Sequence, residues 1–359
     1  FMLKEIHEQP TAIADTIGER FRDGELHLDG IGLSDHELSQ VRRVLIVACG
    51  TALHAGLVGR YLIEEWAGVA TEADVASEWR YRNAVFDPDT LVLAISQSGE
   101  TADTIAAMRV ARERGAKVVA ITNIMGSAVT RESDGVLYTR AGLEIGVAAT
   151  KTFTAQVTLL TLLALKLAQL RWRLPAERVA AIGAELERLP SLVEQLLADE
   201  EADRELDEVA ARFCRDRFFL FLGRHMGFPI CLEGALKLKE ISYVHAEGYA
   251  GGEMKHGPLA LVDRDMPVVC LLPSDSTLEK MLSNVQEVRA RDGQVIAVVD
   301  DPRVASSLAA HTLKVPATVE WLTPLLTIVP LQLLSYYVAD LRGTDVDQPR
   351  NLAKTVTVE

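Results

Sequence analysis

The sequence predicts an α/β protein of two tandem domains, each a three-layer αβα arrangement around a parallel sheet. The chain has 359 residues, which is too long for one ordinary hydrophobic core. Continuous β-branched, apolar runs alternate with amphipathic stretches of helical length, a pattern typical of parallel strands buried on both faces. The second half of the chain repeats the order of elements found in the first. These observations together favour a duplicated α/β domain.

The first half contains four strand-like runs. They are separated by helical stretches that end near Glu65 and Arg114, and a long apolar helix from about Thr152 to Leu170 closes the half. The four runs cover residues 43–51, 91–98, 116–123 and 135–139.

The second half has the same series, closed by an apolar helix from about Leu322 to Tyr337. Its strand-like runs cover residues 217–225, 266–276, 293–301 and 311–316. Three pairs of matching positions, Ser96 with Ser274, Val118 with Val295 and Val136 with Leu313, lie 177 or 178 residues apart. Such a constant spacing predicts a duplication.

Five segments follow from these patterns. We expect an N-terminal helical segment (1–35), a first α/β domain (36–172), an acidic helical connector (173–210), a second α/β domain (211–342) and an irregular tail (343–359). The tail has no helical period. Since the chain begins with Phe1, we expect it to be a piece of a longer polypeptide or a processed product.

Composition excludes several classes of protein. The apolar fraction of 48% and charged fraction of 25% are those of a soluble globular protein, and the formal charge of −14 argues against nucleic-acid or anionic-membrane partners. Two apolar stretches, 159–170 and 321–339, fit buried helices better than membrane spans. The four cysteines have no metal-ligand spacing and read as free thiols in a reducing cytoplasm, so we expect no metal.

The segment Ser96-Gln97-Ser98-Gly99-Glu100-Thr101 is the first candidate for chemistry. It lies at the carboxyl end of a predicted buried strand and at the start of the next helix. Unpaired amides, the helix dipole, a glycine and three hydroxyls together favour binding of a phosphate, although a simple helix cap is the alternative.

The matching segment of the second half contains Asp275 and lacks the glycine, so we expect one phosphate site per chain. No Gly-x-Gly-x-x-Gly and no Walker-type lysine follows either strand, which argues against NAD and ATP. A phosphate without a nucleotide fingerprint suggests a phosphosugar, whose isomerisation needs acid–base groups.

Three places could supply these groups. In "CLEGALKLKEISY", Glu233, Lys237 and Glu240 share one helical face, where a surface ion-pair ladder is the alternative. The glycine-rich stretch "HAEGYAGGEMKHGP" is interpreted as a loop that could carry a histidine to a ligand, although loop histidines are usually only solvated. The tail holds Lys354, and a tail lysine is ordinarily solvent-exposed.

These segments resemble the isomerase portion of the glucosamine-6-phosphate synthase family, the glutamine–fructose-6-phosphate aminotransferases. The resemblance runs from "KEIHEQP" through "ACGT", "SQSGET", "EIGVAATK", "EGALKLKE" and "GGEMKHGPLAL" to "DQPRNLAKTVTVE". It implies two SIS domains with a flavodoxin-like fold and a cytoplasmic homodimer that needs no cofactor. The implied ligands are fructose 6-phosphate, glucosamine 6-phosphate and glucose 6-phosphate.

The resemblance also implies roles for individual residues. Glu240 would shuttle a proton between C1 and C2, Lys237 would lie beside it, Lys354 would form a Schiff base with the C2 ketone, and His256, reaching in from the neighbouring subunit, would assist ring opening. The implied substrate-binding positions, apart from Glu240, are Thr51, Ala52, Ser96, Gln97, Ser98, Thr101, Val147, Ala149 and Ala353.

Two departures qualify this expectation. Ala52 and Ala149 stand where family members often have serine, so hydroxyl contacts to the sugar would be lost or replaced there. The family's glutaminase domain, which begins with a cysteine, is missing, so we expect no glutamine hydrolysis and a covalent partner domain that this chain lacks. A phosphosugar isomerase without amination and a non-enzymatic phosphosugar sensor remain as alternatives.

Overall fold

A computed structural model describes residues 1–22, 25–85, 87 and 89–357, without the side chain of Arg22. Three predicted segments contain residues outside this range: 23–24 in the N-terminal segment, 86 and 88 in the first α/β domain, and 358–359 in the tail. The chain divides into two compact units. The Ser96 unit comprises Thr11–Glu144, Lys151–Arg188 and Ala353–Glu359, and the Glu240 unit comprises Phe1–Pro10, Ile145–Thr150 and Leu189–Leu352.

The helices and strands follow one another in chain order. Up to the first connector they are α1 (Met2–His7), α2 (Gln9–Ile17), β1 (Phe21–Arg22), β2 (Glu25–Leu26), α3 (Asp35–Gln40), β3 (Arg43–Ala48), α4 (Gly50–Leu62), β4 (Ala70–Val75), α5 (Ala76–Trp79), β5 (Thr90–Ile95), α6 (Ala102–Glu113), β6 (Lys117–Thr122), α7 (Ala128–Glu132), β7 (Gly135–Tyr138) and α8 (Lys151–Leu170). The remainder are α9 (Ala176–Leu197), α10 (Glu200–Phe213), β8 (Phe218–Gly223), α11 (Gly227–Ser242), β9 (His245–Ala250), β10 (Pro267–Leu272), α12 (Leu278–Arg289), β11 (Gln294–Val299), β12 (His311–Lys314) and α13 (Thr323–Leu341).

Each unit contains one five-stranded parallel sheet. In the Ser96 unit the order is β4-β3-β5-β6-β7, and in the Glu240 unit it is β9-β8-β10-β11-β12. Numbered within its own unit, each sheet reads 2-1-3-4-5, which is the flavodoxin-like order. The predicted fold class of two tandem flavodoxin-like domains is therefore confirmed, and the repeated order confirms the duplication.

The central strands form where the apolar runs predict them. In β5 and β10 every residue is buried. Neither strand has a solvent-facing side, so its sequence is almost entirely apolar and does not alternate between apolar and polar residues. The long apolar helices α8 and α13 are buried, as predicted, and pack mainly against helices α4 and α11 respectively. Among the described residues, two helices, Lys151–Leu170 and Glu320–Leu341, are long and apolar enough to cross a membrane, but 89% of the relevant window of each is buried inside the protein.

Two strands differ from the sequence interpretation. Residues His245–Ala250, interpreted as part of a glycine-rich loop, form β9 at the edge of their sheet, and the equivalent edge strand β4 was not predicted. Edge strands are covered on fewer sides, so they tolerate polar residues such as Glu72 and Glu247 and lack the continuous apolar run. The loop that follows β9 begins only at Gly251, in a short 3₁₀ turn.

The tail beyond α13 contains no helix or strand in its described part, residues 342–357, as predicted. All four cysteines are free, with Cys231 and Cys270 buried and Cys49 and Cys214 half-buried.

Candidate active site

The turn after β5 is closed by its own hydroxyls. Ser96 is 2% exposed, and its Oγ lies 2.8 Å from Oγ1 of Thr101 and accepts the amide of Gly99 at 3.0 Å. Ser98 Oγ accepts the amide of Glu100 at 3.2 Å. The chain therefore folds into a compact concave turn in which the first and last hydroxyls face one another.

Gly99 is required by the geometry of this turn. Its φ is +68°, and a Cβ at this position would lie 2.0 Å from Oγ of Ser127. The turn is tied to α7 on that side, since Gly99 O accepts the amide of Val129 at 3.1 Å and Glu100 Oε1 accepts the amide of Ala128 at 2.8 Å. A larger residue would push the turn away from its support.

Helix α6 begins at this turn. Its N-cap, Thr101, makes no side-chain capping bond, so the hydroxyls of Ser98 and Thr101 do not act as ordinary caps of this helix. The start of a twelve-residue helix presents amides and the positive end of the dipole beside three hydroxyls. This combination suits a phosphate group.

The matching turn of the Glu240 unit is occupied by the protein's own carboxylates. Asp300 accepts both the amide and the hydroxyl of Ser274, at 3.0 and 2.7 Å, and Glu320 accepts the hydroxyl of Ser276 at 2.7 Å. Asp275 accepts the hydroxyl of Thr277 at 2.8 Å. These negative charges repel a phosphate, so the predicted asymmetry between the two copies has a structural basis.

Thr51 and Ala52 lie in the first turn of α4, directly after β3. Strands β3 and β5 are parallel neighbours, with Ala48 opposite Ile95, so the turns that follow them emerge at the same edge of the sheet. Thr51 is half-buried and Ala52 is 8% exposed. The structure thus brings Thr51 and Ala52 to the edge that carries the Ser96 turn.

The tail is folded onto the Ser96 unit. The amide of Ala102, the first residue of α6, donates to the carbonyl of Val356 at 3.2 Å. Lys354 precedes Val356 by two residues, which span at most about 7 Å of chain. The predicted amine is therefore held within side-chain reach of the start of α6, and its side chain is only 22% exposed.

Lys354 pairs with a carboxylate that the sequence analysis did not single out. Its Nζ lies 2.5 Å from Oε2 of Glu144, whose side chain is fully buried. Glu144 also accepts the amide of Thr152 at 3.2 Å and its hydroxyl at 2.7 Å, at the N-terminus of α8. The signal was present, because Glu144 opens the "EIGVAATK" motif, but a single glutamate in a loop is usually solvated.

Four further predicted contact positions have, among the residues that the structure describes, no side-chain partner that defines a role. Val147 is half-buried and its amide donates to the carbonyl of Asp347 at 3.0 Å within the Glu240 unit. Ala149 is half-buried in the same segment, and Ala353 is exposed beside Lys354 in the Ser96 unit. Gln97 is half-buried in the Ser96 turn, and its carbonyl accepts the amide of Asn123 at 3.1 Å.

Helix α11 carries a buried charge cluster. Lys237 and Glu233 are fully buried, and Lys237 Nζ lies 3.3 Å from Glu233 Oε1 and 2.5 Å from Glu240 Oε2. Burial works to lower the pKa of Lys237, but the two carboxylates outweigh it, and the pKa is raised above its ordinary value. The alternative of a surface ion-pair ladder is therefore wrong. Glu240, with 20% of its side chain exposed, is the member that can reach a ligand.

His256 ends the 3₁₀ turn Gly251–His256 and is exposed. Its neighbour Lys255 pairs with Glu287 at 2.8 Å, which ties the turn to α12. His245 is also exposed, on β9, with Nε2 3.3 Å from Glu247 Oε1. Within the described part of the chain, no group of three or more histidine, cysteine, aspartate or glutamate side chains could hold a metal ion.

Comparison with known proteins matches this arrangement to one family. The model of the SIS domain matches residues 37–166 and 214–341. The chain therefore belongs to the SIS domain family and carries two copies of the domain.

Within this family the chain is most usefully compared with sugar-phosphate aminotransferases. It is 53% identical over 362 aligned residues to glutamine–fructose-6-phosphate aminotransferase (isomerizing) of Methanosarcina acetivorans, covering 100% of this chain and 58% of that protein. The C-terminal domain of glucosamine-fructose-6-phosphate aminotransferase from Francisella tularensis superimposes with a TM-score of 0.92 at 43% identity, covering 97% of this chain and 98% of that one. These similarities confirm the resemblance seen in the motifs.

A more distant solved structure is also similar to this chain. Glucosamine-6-phosphate deaminase from Thermotoga maritima superimposes with a TM-score of 0.76 at 26% identity and covers 99% of each chain. The chain itself spans 58% of the length of the curated relatives it matches.

Proposed function

We propose that this chain is the sugar-phosphate-converting part of a glutamine–fructose-6-phosphate aminotransferase. In this proposal it binds fructose 6-phosphate, opens the ring and isomerises the ketose to an aldose, giving glucosamine 6-phosphate when ammonia is supplied. The observation that carries the proposal is the placement of Lys354, a half-buried amine that pairs with Glu144 and lies two residues before Val356, whose carbonyl accepts the amide of Ala102 at the start of α6. A phosphate-binding turn alone would fit any phosphosugar-binding SIS protein, whereas a lysine amine can also form a Schiff base with the carbonyl of the sugar.

The phosphate is proposed to bind at the Ser96 turn. The hydroxyls of Ser96, Ser98 and Thr101 donate to its oxygens, and the start of α6 supplies a favourable dipole. Gln97, Thr51 and Ala52 line the same sheet edge, where the backbone of Ala52 can still donate although its side chain has no hydroxyl. Val147, Ala149 and Ala353 are proposed as further sugar contacts.

Lys354 is proposed as the nucleophile that captures the open-chain ketone. Its ammonium first gives up a proton, the free amine forms a bond to C2, and the carbinolamine hydroxyl takes up a proton and leaves as water, so that a protonated Schiff base remains. His256 assists the preceding ring opening as an acid–base group, reaching in from a second subunit of a homodimer.

Glu240 is proposed as the base that moves a proton between C1 and C2. Its side chain is 20% exposed, and its Oε2 lies 2.5 Å from Nζ of Lys237, which fixes the position of the carboxylate. Lys237 is a poor candidate for the nucleophile, because its ammonium is fully enclosed between two carboxylates.

The whole aminotransferase reaction needs ammonia from glutamine. We infer that a glutaminase domain corresponding to the remaining length of the curated relatives supplies it, and that the assembled enzyme is a cytoplasmic homodimer acting in hexosamine synthesis. No resident cofactor or metal is required, because the Schiff base provides the electron sink.

Formation of glucose 6-phosphate from fructose 6-phosphate tests the proposal on this chain alone. We expect turnover that falls about 10²–10⁴-fold in Glu240→Gln, since general base catalysis typically contributes this factor. Glu279→Gln, which removes an exposed carboxylate from α12 in the same unit, is the matched control and keeps full activity.

Absence of turnover with tight phosphosugar binding would overturn the enzymatic proposal in favour of a sensor. Turnover without an adduct on Lys354 would instead indicate an isomerase that does not use amine chemistry.

A further inference from the structure

Glu144 is a buried carboxylate of the Ser96 unit that has hydrogen bonds besides its contact with Lys354. Its side chain is fully buried, and both of its oxygens are engaged: Oε1 accepts the amide of Thr152 and Oε2 accepts the hydroxyl of Thr152. Thr152 is the second residue of the twenty-residue helix α8, so the carboxylate sits where the helix dipole favours a negative charge. The orientation of Glu144 is therefore set by α8 and does not depend on the tail.

The tail brings its amine to this fixed charge. Lys354 Nζ approaches Oε2, the oxygen that the Thr152 hydroxyl also contacts, at 2.5 Å. The two residues are separated by 210 positions, so the contact is a product of the fold and not of local sequence. A buried carboxylate is costly unless a cation lies beside it. The attraction between Glu144 and the Lys354 ammonium therefore helps to hold the terminal segment in this position.

We propose that Glu144 is the positioning residue for Lys354: it holds the nitrogen in place for attack and stabilises the positive charge that the Schiff base leaves on that nitrogen. This inference rests on the proposed function, in which Lys354 captures the ketone.

The charge balance of the step supports this role. Lys354 attacks as the free amine; the proton that its ammonium gives up is taken by the carbinolamine hydroxyl, which leaves as water, so the protonated Schiff base carries the single positive charge on Lys354 nitrogen. A carboxylate fixed beside that nitrogen stabilises the cationic form of the adduct over the neutral form. The cationic form withdraws electrons from C2 and makes the neighbouring C1 proton easier to remove.

The test measures how fast the adduct forms, apart from how well the sugar phosphate binds. Borohydride is added at increasing times after fructose 6-phosphate, and the reduced adduct is quantified by mass spectrometry. In Glu144→Gln, which keeps the size and can still accept from Thr152, we expect adduct formation to slow about 100-fold with the Kd for fructose 6-phosphate unchanged within a factor of two. Glu144→Asp keeps the charge and recovers part of the rate.

Glu132→Gln is the matched control. Glu132 lies in the same unit and pairs with Arg109 at 2.6 Å, but this pair is on the surface, so the adduct rate stays at the wild-type value. Where Glu144→Gln does not fold, Thr152→Val removes only the hydroxyl that fixes Oε2, and we expect a smaller slowing in the same direction.

A folded Glu144→Gln or Thr152→Val variant that forms adduct at the wild-type rate overturns the inference and leaves the proposed function intact. A wild-type chain that forms no adduct on Lys354 overturns the proposed function itself.

Discussion

The amide of Ala102 and the carbonyl of Val356 are joined by a hydrogen bond of 3.2 Å between the start of helix α6 and the C-terminal tail. With the Lys354–Glu144 ion pair, it fixes the tail to the Ser96 unit at two points on either side of Thr355. An irregular segment held in this way keeps the Lys354 amine in place without secondary structure of its own. The end of the tail, from Ala353 onward, is thus a structural part of the unit that carries the Ser96 turn.

Gly99→Ala tests the need for glycine in that turn. The φ of +68° and the 2.0 Å approach to Ser127 predict a loss of about 1–3 kcal/mol in the free energy of unfolding and weaker fructose 6-phosphate binding. Denaturant unfolding and calorimetric titration measure the two effects. Gly115→Ala is the control, because Gly115 has a φ of +86° but no atom near its Cβ position, so it should lose stability without losing affinity. Unchanged affinity in Gly99→Ala would remove the turn from the binding site.

Lys237→Met tests the charge cluster of α11. The substitution leaves Glu233 buried without its cation, and we expect the free energy of unfolding to fall by about 3–5 kcal/mol. Adding Glu233→Gln should restore part of the loss, because the remaining charge is then removed. Lys239→Met, two residues along and exposed, should stay within about 0.5 kcal/mol of wild type. Equal stability of the Lys237 and Lys239 variants would show that the cluster does not need its cation.

The thiols should differ sharply in reactivity. Burial raises the pKa of Cys270 to about 12 and places that of Cys231 well above its ordinary value. At pH 8 a thiol with a pKa of about 12 is ionised to only about 10⁻⁴, and reagent has no access to either buried sulfur. A colorimetric thiol titration of the native protein should therefore count Cys214 early and Cys231 and Cys270 only after denaturant is added. Rapid labelling of all four thiols in the native state would contradict the buried core of the Glu240 unit.

Stability in acid should depend on Glu72. Its carboxylate lies 2.5 Å from both Arg43 and Arg82, and although burial works to raise its pKa, these hydrogen bonds and charges lower it overall. A lowered folded-state pKa stabilises the fold above the unfolded value near 4.3, and this contribution is lost as the pH falls through the folded-state pKa.

We therefore expect Glu72→Gln to cost about 1 kcal/mol at pH 7 and progressively less below pH 4. Urea unfolding across this pH range gives the comparison, with the exposed Glu65→Gln as control. A cost that stays constant down to pH 3 would mean that the ion pairs do not carry the effect.

Sequence patterns anticipated the central strands and the Ser96 turn, because buried parallel strands are apolar throughout and the turn follows one of them directly. They did not reveal β4 and β9, since an edge strand with Glu72 or Glu247 has the composition of a loop. The partner of Lys354 could not be found either, because contact between residues 144 and 354 arises only after the tail has folded back.

Duplication was the strongest aid to interpretation. The turn at Ser96 could be compared with the matching turn at Ser274, which lacks the glycine and contains Asp275. This comparison favoured the Ser96 turn as the phosphate site, which a single copy of the domain could not have done. The burial of Glu233 and Lys237 could not be predicted from the sequence, since a helical face with three charges is usually solvated.

Reductive trapping of a sugar adduct, followed by peptide mapping, tests the central claim most directly. The chain is incubated with fructose 6-phosphate, reduced with borohydride and digested, and the peptide that carries the added hexose phosphate is identified. We predict a single modified site at Lys354, lost in Lys354→Arg, whose guanidinium does not form the Schiff base. An adduct located on Lys237, or none at all under conditions where the sugar phosphate is bound, would contradict the account.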